Sequence, residues 1–232
     1  MQLMNNGFGT ILIAVAHPSE EEAVRRATEA AGCGCEILVT GVGGAAVSWA
    51  LQKRIASGEL PALVIGAGIA GSYTEALPPG TVVTTLSDCF ADMGVDDNGS
   101  FTSLFGAGLA DPDTPPFTGG RIPCSGRWFA LASGLLPAVA GATVNMASGS
   151  QHVIERIRKA WNPGIETMEG AWLAYTCAMA GIPWIAVRAV SNMVEPRNLK
   201  NWDIPIALRN LEEKMILLLE LLAGNEQPDE IH

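Results

Sequence analysis

The sequence predicts an α/β fold, a three-layer αβα sandwich around a mostly parallel mixed sheet. Short apolar runs rich in β-branched residues alternate with amphipathic stretches of helix length, the pattern expected when helices cover both faces of a sheet. The chain has 232 residues, 48% of them hydrophobic, which is enough for one sizeable core and short for two. We therefore expect a single domain over residues 1–232, with frayed ends at 1–10 and 225–232.

Strands and helices are predicted in alternation along most of the chain. Apolar, β-branched runs predict strands at 11–16, 36–40, 62–66, 81–86, 142–147 and 184–190. Amphipathic stretches predict helices at 19–31, 45–57, 127–136, 151–161 and 169–180, and a last helix at 204–222 whose apolar residues recur every three or four positions. Residues 92–124, rich in Gly, Pro, Asp and Thr, break the alternation. So long a connection is usually a lid, a binding loop or disordered.

Local signals place several helix starts. Ser19 and Glu22 have the spacing of a capping box at the start of the first helix. The run Gly41-Val42-Gly43-Gly44 suits a tight turn into the second helix, and Asp203 can cap the last one. These residues therefore have a structural explanation before any functional one is considered.

The composition excludes several classes of partner. The formal charge of -10 arises from 24 acidic and 14 basic residues, and no Lys/Arg cluster exceeds a pair, so neither nucleic acid nor an anionic membrane is an expected partner. No apolar stretch reaches the roughly 18 residues that a membrane-spanning helix needs. The first ten residues lack the basic and apolar regions of a signal peptide. We expect a cytoplasmic protein that binds a small molecule.

The cysteines and histidines do not predict a metal site. The five cysteines are odd in number and scattered, which favours reduced, buried thiols over a disulfide framework. Cys33-Gly-Cys35 is too tight for a common zinc spacing, and the three histidines are dispersed. We therefore expect no bound metal.

A glycine-rich run from Gly66 to Gly71 fits the G-x-G-x-x-G fingerprint of dinucleotide-binding proteins. That fingerprint needs a full helix starting within the glycines, because the helix N-terminus holds the pyrophosphate. Only six residues separate the run from Pro78, too few for such a helix. We expect instead that small residues let backbone N–H groups approach a ligand. The candidate binding residues are Gly68, Ile69 and Ala70.

Two further motifs put polar side chains at the ends of apolar segments, where α/β enzymes collect their chemistry. One is Met168-Glu169-Gly170-Ala171, and the other is Val187-Arg188-Ala189-Val190-Ser191-Asn192. Together they resemble motifs of the nucleoside phosphorylase and N-ribosyl hydrolase superfamily. The resemblance implies that Met168 and Glu169 grip the ribose. It also implies that the strand ending in Asn192 holds the purine and assists its departure.

The charged residues near these motifs each have two explanations. Glu169 can complement a helix dipole, or its carboxylate can accept bonds from the adjacent 2′- and 3′-hydroxyls of ribose. Arg188 can be an ion-pair partner or, as the resemblance implies, a neighbour of that carboxylate and the nucleophile. Glu22 can complete its capping box or act as the base for the attacking water. The second role is implied because residues 20–22 resemble the Met-Glu-Glu-Glu segment of methylthioadenosine/S-adenosylhomocysteine nucleosidases.

Asn192 indicates which base leaves. It takes the place of an Asp that donates a proton to purine N7 in the adenine-releasing nucleosidases, and a neutral amide cannot serve as that acid. Its NH₂ and C=O can pair together with a 6-oxopurine, as in the inosine- and guanosine-specific phosphorylases that it resembles, which points to hypoxanthine. His152, with Val153, falls where a relative places a base-stacking Phe, and a histidine on a helix surface is the alternative.

The segments after Asn192 resemble one family more closely. They are Met193-Val194-Glu195-Pro196-Arg197-Asn198 and Asn201-Trp202-Asp203-Ile204-Pro205, and both are similar to segments of the futalosine hydrolases. The resemblance implies hydrolysis of the N-ribosidic bond of futalosine without metal or organic cofactor, releasing hypoxanthine and dehypoxanthine futalosine in menaquinone biosynthesis. Asp203 either caps the final helix or supplies the carboxylate that Asn192 lacks. Arg197 is a solvated loop cation or a partner for the benzoate of futalosine.

Other functions stay open. A methylthioadenosine/S-adenosylhomocysteine nucleosidase would release adenine, and a purine nucleoside phosphorylase would need phosphate. A non-catalytic nucleoside-binding protein on the same scaffold would bind a nucleoside without releasing its base. Since relatives often complete their pocket with a neighbour's loop, the resemblance also implies a homo-oligomer.

Overall fold

The computed structural model describes residues 9–196 and 198–225. It confirms the mixed α/β fold, with helices around a central mixed sheet. The predicted frayed ends, apart from residues 9, 10 and 225, lie outside the described residues. Within the described part, no helix combines the length and the apolar character needed to cross a membrane.

The central sheet has eight strands, and a separate hairpin has two. The strands are β1 Ile11–Val15, β2 Glu36–Val39, β3 Leu63–Ser72, β4 Val82–Asp88, β5 Gly94–Asp97, β6 Ser100–Ser103, β7 Ile122–Pro123, β8 Ala138–Thr143, β9 Ile165–Thr167 and β10 Trp184–Met193. Parallel pairs join β1 to β2 and β3, β3 to β10, and β8 to β4 and β9. Antiparallel pairs join β10 to β4, β3 to β9 and β4 to β7, while β5 and β6 form the hairpin.

Strand β3 is the centre of this sheet because it has three partners. Its first residues pair with β1, its last two pair with β9 on the same edge, and β10 runs along its other edge. The pairings β3–β10–β4–β8–β9–β3 therefore close a ring of five strands, a feature that the predicted three-layer sandwich did not include. Because β1 is parallel and β9 antiparallel to β3, the C-terminal ends of β1 and β9 face each other along one edge of β3, beside its glycine-rich second half.

The described residues form six α-helices and one 3₁₀ turn, Leu199–Asn201. The helices are α1 Pro18–Ala30, α2 Gly44–Ala56, α3 Arg127–Leu135, α4 Gln151–Trp161, α5 Gly170–Met179 and α6 Ile204–Gly224. Each lies within two residues of its predicted bounds. Helix α6 packs against α1, α3 and strands β3 and β10. Helix α2 packs against α5, and α5 contacts β3 and β8.

The core lies between the ring and these helices. Leu12, Ile13, Ile65 and Ile185 of the sheet are fully buried, as are the apolar residues of α6 at 211, 215 and 218. Burying a side chain of this size contributes roughly 1.5–3 kcal/mol relative to leaving it exposed. The core thus fixes the strand ends that surround the cavity described below.

Several predicted elements differ in the structure. The strand predicted at 142–147 lies at Ala138–Thr143, since pairing with β4 on one side and β9 on the other makes a strand of a small-residue run with weak intrinsic preference. The strand predicted at 62–66 continues to Ser72. Residues 92–124 contain the β5–β6 hairpin and β7. The ring of Phe117 in this segment packs against Phe90 and Tyr175, and Phe105 packs against Phe117. This segment is folded onto the body of the protein.

The predicted capping box is two residues out of register. The N-cap is His17, whose side chain accepts from Ser19 N, while the Glu20 carboxylate accepts from His17 N at 3.0 Å. Pro18 occupies the first helical position, where its missing N–H is no loss. The side chain of Glu22 therefore takes no part in the cap.

The prediction of five reduced cysteines is wrong for one pair. Cys33 and Cys35 are joined by a disulfide across the α1–β2 connection. Cys89, Cys124 and Cys177 are free and buried, and burial raises the pKa of each thiol to about 12. These three thiols stay protonated at neutral pH, so they are not nucleophiles.

Candidate active site

A cavity of about 350 Å³ opens where β1, β3, β9 and β10 end. Trp202, just before α6, and Ile204, its first residue, line the cavity, and the β8–α4 connection contributes Ala147 and Ser148. Ligands of α/β folds commonly bind in crevices at the carboxyl ends of parallel strands, and β1, β3 and β10 are parallel here. The residues that project into it are therefore the candidates for chemistry.

Glu20 is buried at one wall of the cavity and is held by three backbone N–H groups. Its Oε2 accepts from Ala16 N at 2.9 Å and His17 N at 3.0 Å, and its Oε1 accepts from Ile69 N at 2.9 Å. The carboxylate is therefore fixed between the end of β1 and the glycine-rich part of β3. A carboxylate held rigidly in a ligand cavity suits a base for a water molecule.

The structure does not bring Glu22 into this cavity. Glu22 is on the outer face of α1, 62% exposed, and pairs with Arg26 at 2.8 Å. An α-helix turns by 3.6 residues, so positions 20 and 22 lie on nearly opposite faces. Of the two residues, Glu20 is therefore the candidate for the role predicted for Glu22. Pro18 is the signal that could have found it, because it marks the start of the helix.

Glu169 borders the cavity directly before α5. It is the N-cap residue, yet its side chain makes no capping bond to its own helix. Its Oε1 instead accepts from Gly43 N, at the start of α2, at 2.7 Å. Gly41 and Gly43 have φ of 87° and 90°, values that only glycine adopts readily, and this turn aims the N–H at the carboxylate. The structure thus gives the predicted glycine turn a second role in positioning Glu169.

The electrostatics around Glu169 combine burial with opposing charges. Burial raises the pKa of its carboxyl, while the Gly43 N–H and the Arg188 guanidinium act to lower it, and Glu20 raises it further. Arg188 itself is buried at 4% exposure. One buried cation therefore lies near two cavity carboxylates, the grouping that the sequence predicted for Glu169 and Arg188.

Gly68 is the reason that Glu20 and Arg188 come so close to β3. A Cβ atom at this position would lie 2.6 Å from Glu20 Oε1 and 2.7 Å from Arg188 Nη1. The sequence predicted that the backbone here approaches a ligand; at Gly68 it instead approaches the side chains of Glu20 and Arg188. Ile69 and Ala70 line the cavity itself, as does Met168.

Asn192 lines the cavity at the end of β10, and its amide orientation is fixed. Its Oδ1 accepts from the Ser191 hydroxyl at 2.8 Å, and its Nδ2 donates to Met193 O at 2.9 Å. Each group keeps capacity for a ligand, because an amide oxygen has a second lone pair and an NH₂ has a second hydrogen. This side chain can therefore donate to a base and accept from it at the same time.

A third glutamate, Glu166 of β9, lines the same cavity and was not predicted. Its Oε1 accepts from Ser148 N at 2.9 Å, and its Oε2 accepts from the hydroxyls of Ser148 and Tyr73. Burial, followed by the Glu166 charge, raises the pKa of Tyr73, so the phenol remains a donor. No sequence signal marked Glu166, since β9 is only three residues long.

The structure places four other predicted residues away from the cavity or leaves them undescribed. Asp203 caps α6 by accepting from Ile206 N at 3.0 Å and is exposed, so the structural explanation holds and it does not supply a cavity carboxylate. His152 is exposed on α4, and Val153 packs against a buried apolar cluster that includes Val144 and Ile157. Neither lines the cavity, because the β8–α4 connection meets it earlier, at Ala147 and Ser148. Arg197 lies outside the described residues.

Among the described residues, no three His, Cys, Asp or Glu side chains are grouped as a metal site would require. The ionisable side chains that line the cavity within the described part are His17 and four glutamates, at 20, 166, 169 and 195. The cavity is therefore acidic, and Met168 and Trp202 add apolar surface suited to a sugar or a base.

Comparison with known proteins assigns the family. The sequence profile of the phosphorylase superfamily matches residues 25–223. A futalosine hydrolase of Acidothermus cellulolyticus is 32% identical over 213 residues, which cover 88% of this chain and 81% of that protein. A futalosine hydrolase of Streptomyces coelicolor is 30% identical over 238 residues, covering 91% of this chain and 96% of that protein.

Solved structures share the fold at lower identity. The S-adenosylhomocysteine nucleosidase from Streptococcus pyogenes is similar with a TM-score of 0.77 and 19% identity, covering 96% of this chain and 100% of that one. The futalosine hydrolase of Helicobacter pylori is similar with a TM-score of 0.72 and 18% identity, covering 94% and 98%. The chain belongs to the phosphorylase superfamily and, within it, to the family of the futalosine hydrolases.

Proposed function

We propose that this chain hydrolyses the N-ribosidic bond of futalosine and releases hypoxanthine, as a step of menaquinone biosynthesis. Water attacks C1′, the C1′–N9 bond breaks, and its electron pair leaves with the base. Glu20 takes the water proton, which finally reaches the departing hypoxanthine through solvent. The observation that carries the proposal is one cavity lined by two fixed carboxylates, Glu20 and Glu169, and a fixed amide, Asn192.

The roles of the carboxylates follow from the charge that develops during the reaction. The ribose becomes oxocarbenium-like as the base leaves, and nearby negative charge stabilises that state. Glu169 binds the 2′- and 3′-hydroxyls through the lone pairs that Gly43 N does not use. Glu20, held by three N–H groups, orients and deprotonates the water.

The acidic lining favours water over phosphate as the nucleophile. Inorganic phosphate carries more than one negative charge at neutral pH and would meet the carboxylates of Glu20 and Glu169. The described residues that line the cavity include no lysine or arginine, and Arg188 lies buried beside Glu20. We therefore propose a hydrolase in preference to a phosphorylase.

Asn192 supports hypoxanthine as the base that leaves. An unionised amide cannot act as the acid that protonates adenine at N7, but its NH₂ can stabilise the leaving 6-oxopurine at O6 or N7. Its two fixed bonds, to Ser191 and Met193, hold it ready for this contact. An adenine-releasing nucleosidase is thus disfavoured by the chemistry of this one side chain.

Release of free base from defined nucleosides tests the proposal. Futalosine, inosine, methylthioadenosine and S-adenosylhomocysteine are each incubated with the protein, with and without phosphate, and the bases are separated by chromatography. We expect hypoxanthine from futalosine at a rate that does not depend on phosphate. Adenine release from methylthioadenosine as the dominant activity, or a strict need for phosphate, would contradict it. Binding without release would indicate a non-catalytic nucleoside-binding protein.

A homo-oligomer and a cytoplasmic location stay predictions. Val42, which lines the cavity, is 56% exposed, and Trp49 of α2 is 71% exposed, so apolar surface at the cavity and on α2 is open to a second copy. Sedimentation at several concentrations measures the association. A monomer at all concentrations would contradict the oligomer.

A further inference from the structure

We propose that Glu166 is a specificity-determining residue that accepts a hydrogen bond from N1–H of hypoxanthine, while Asn192 pairs with the O6/N7 side of the same base. This inference rests on the proposed function, since it concerns the base that the enzyme releases. Glu166 is a buried carboxylate, and neither ribose binding nor activation of the water gives it a role.

The register of the sheet sets Glu166 and Asn192 on either side of one glycine. Asn192 of β10 pairs with Gly71 of β3, and Gly71 pairs with Glu166 of β9. Neighbouring strands lie about 4.8 Å apart, so the two polar residues are about 10 Å apart across the row. All three residues line the cavity.

Gly71 leaves the space between these two side chains open. A Cβ there would lie 2.8 Å from Val194 Cγ2 and 3.3 Å from Asn192 Nδ2, so any larger residue would crowd the amide. A flat two-ring base lying between the two walls can meet the Asn192 amide with one edge and the Glu166 carboxylate with another.

The carboxylate of Glu166 has capacity left for such a contact. Its two oxygens offer about four acceptor positions, and the protein fills three of them, from Ser148 N, the Ser148 hydroxyl and the Tyr73 hydroxyl. Oε1 accepts only one of these bonds. Among the described residues it forms no ion pair, and the neighbouring Arg158 guanidinium donates to the Tyr73 carbonyl instead.

The two purines differ at the atom that this carboxylate would meet. Hypoxanthine carries a hydrogen on N1 and is a donor there, whereas N1 of adenine is an acceptor. A carboxylate that only accepts hydrogen bonds attracts the first and repels the second. Glu166 therefore discriminates by a mechanism independent of Asn192, on a different edge of the base.

A purely structural role for Glu166 predicts a different outcome. The bonds to Ser148 also hold the β8–α4 connection at the cavity wall. If that were the whole role, weakening them would slow the release of both bases equally. Base recognition predicts a change in the preference between bases, which is a ratio and does not depend on how much enzyme is folded.

The test compares futalosine with its counterpart in which adenine replaces hypoxanthine, so that sugar and benzoate are identical. The variant is Glu166→Gln, whose amide can donate to adenine N1 as well as accept from N1–H. We expect the kcat/KM preference for hypoxanthine to fall roughly 10- to 100-fold, the size of a lost charge-assisted bond. Tyr73→Phe is the matched control, because it removes one donor to Glu166 but keeps the carboxylate, and its preference should stay within about twofold of wild type.

A folded Glu166→Gln protein with the wild-type preference would overturn the inference. If wild type does not release hypoxanthine from futalosine, the proposed function fails first, and the two failures are thereby distinguished. If Glu166→Gln does not fold, wild-type inhibition by hypoxanthine is compared with inhibition by its 1-deaza analogue, which has C–H in place of N1–H. We expect the analogue to inhibit at least about tenfold more weakly, and equal inhibition would overturn the inference.

Discussion

The Glu169 carboxylate is held in place by Gly43 N and can accept hydrogen bonds from ribose. A nearly isosteric substitution, Glu169→Gln, tests what its charge contributes. Glu169→Gln can still accept from Gly43 N, so the fold should be kept. It should lose a charge-assisted bond to the ribose, worth roughly 1.5–3 kcal/mol, which lowers kcat/KM about 10- to 100-fold. Burial raises the pKa of Glu169 above its ordinary value. Wild-type activity should therefore fall as the pH decreases through that raised pKa. Steady-state kinetics across pH measure both effects, and unchanged kcat/KM in the variant would contradict the role.

Two glutamates on α1 form a matched pair for the role of the base. Glu20→Gln removes the carboxylate fixed in the cavity and should slow turnover roughly 100-fold or more. Glu22→Gln removes an exposed partner of Arg26, a pair that solvent screens, and should keep wild-type kcat. Both variants are measured at saturating substrate with thermal unfolding as a check. An inactive Glu22→Gln beside an active Glu20→Gln would reverse the assignment.

The substitution Asn192→Asp tests the proposed contact with the O6/N7 edge of the base. The Nδ2 atom of Asn192 donates to Met193 O at 2.9 Å, so an aspartate would place two oxygens against each other and favour its protonated form. Hypoxanthine release should fall by at least about tenfold, because a buried mismatch can cost up to about 10⁴-fold. Weak adenine release should appear, since a protonated carboxyl can donate to N7. The measurement is the ratio of kcat/KM for futalosine and methylthioadenosine, and an unchanged ratio would contradict the contact.

Strand β3 brings Glu20 and Arg188 together through one missing side chain, at Gly68. At Gly68 the backbone is compatible with alanine, but a methyl group would push Glu20 and Arg188 apart. Gly68→Ala should lower kcat/KM more than tenfold and cost about 1–3 kcal/mol of stability from overpacking. Gly134→Ala in α3 is the control, because nothing lies within 4 Å of its added Cβ. It should lower neither kcat/KM nor the stability of the fold. Equal activity of the two variants would contradict the packing argument.

The helices could be predicted from the sequence almost to the residue, and the site only in part. Helix periodicity is local, so α1 to α6 followed from spacing alone. Strand β9 and the last six residues of β3 depend on pairing with distant strands, which spacing does not reveal. For that reason Glu169, Arg188 and Asn192 were found by motif, whereas Glu166 was missed. Glu22 was chosen over Glu20 for a smaller reason: the capping box was predicted two residues late, although Pro18 marks the helix start.

At the scale of the whole molecule, the closed ring of strands is what assembles the site. Glu20, Gly71, Glu166 and Asn192 are far apart in sequence and meet because β3 pairs with β1, β9 and β10. The residues just before α6 add Trp202 at the same opening, whereas the N-cap of α6, Asp203, is exposed and does not line the cavity. A motif predicts which residues are chemical, but the strand pairing decides which of them share a cavity.

The same ring also buries a carboxylate that couples stability to pH. Asp88 ends β4 and is almost fully buried, accepting from Cys89 N at 2.8 Å and from the Thr143 hydroxyl at 2.9 Å. Burial raises its pKa to about 6, despite those bonds and the charges of Arg121 and Arg188. An unfolded Asp has a pKa of about 3.9. Between these values the folded state therefore holds a proton that the unfolded state has lost.

The sign of the effect on stability follows from that proton. Because the folded state binds more protons between about pH 4 and pH 6, the Asp88 contribution makes the free energy of unfolding fall as pH rises through that window. Asp88→Asn keeps an acceptor oxygen and cannot titrate. The difference in free energy of unfolding, variant minus wild type, should rise by roughly 1–3 kcal/mol from pH 4 to pH 6. Between pH 7 and pH 8 it should stay flat, which is the internal control. Urea unfolding at each pH measures it, and a difference that is constant from pH 4 to pH 8 would show that Asp88 is not buried as an acid.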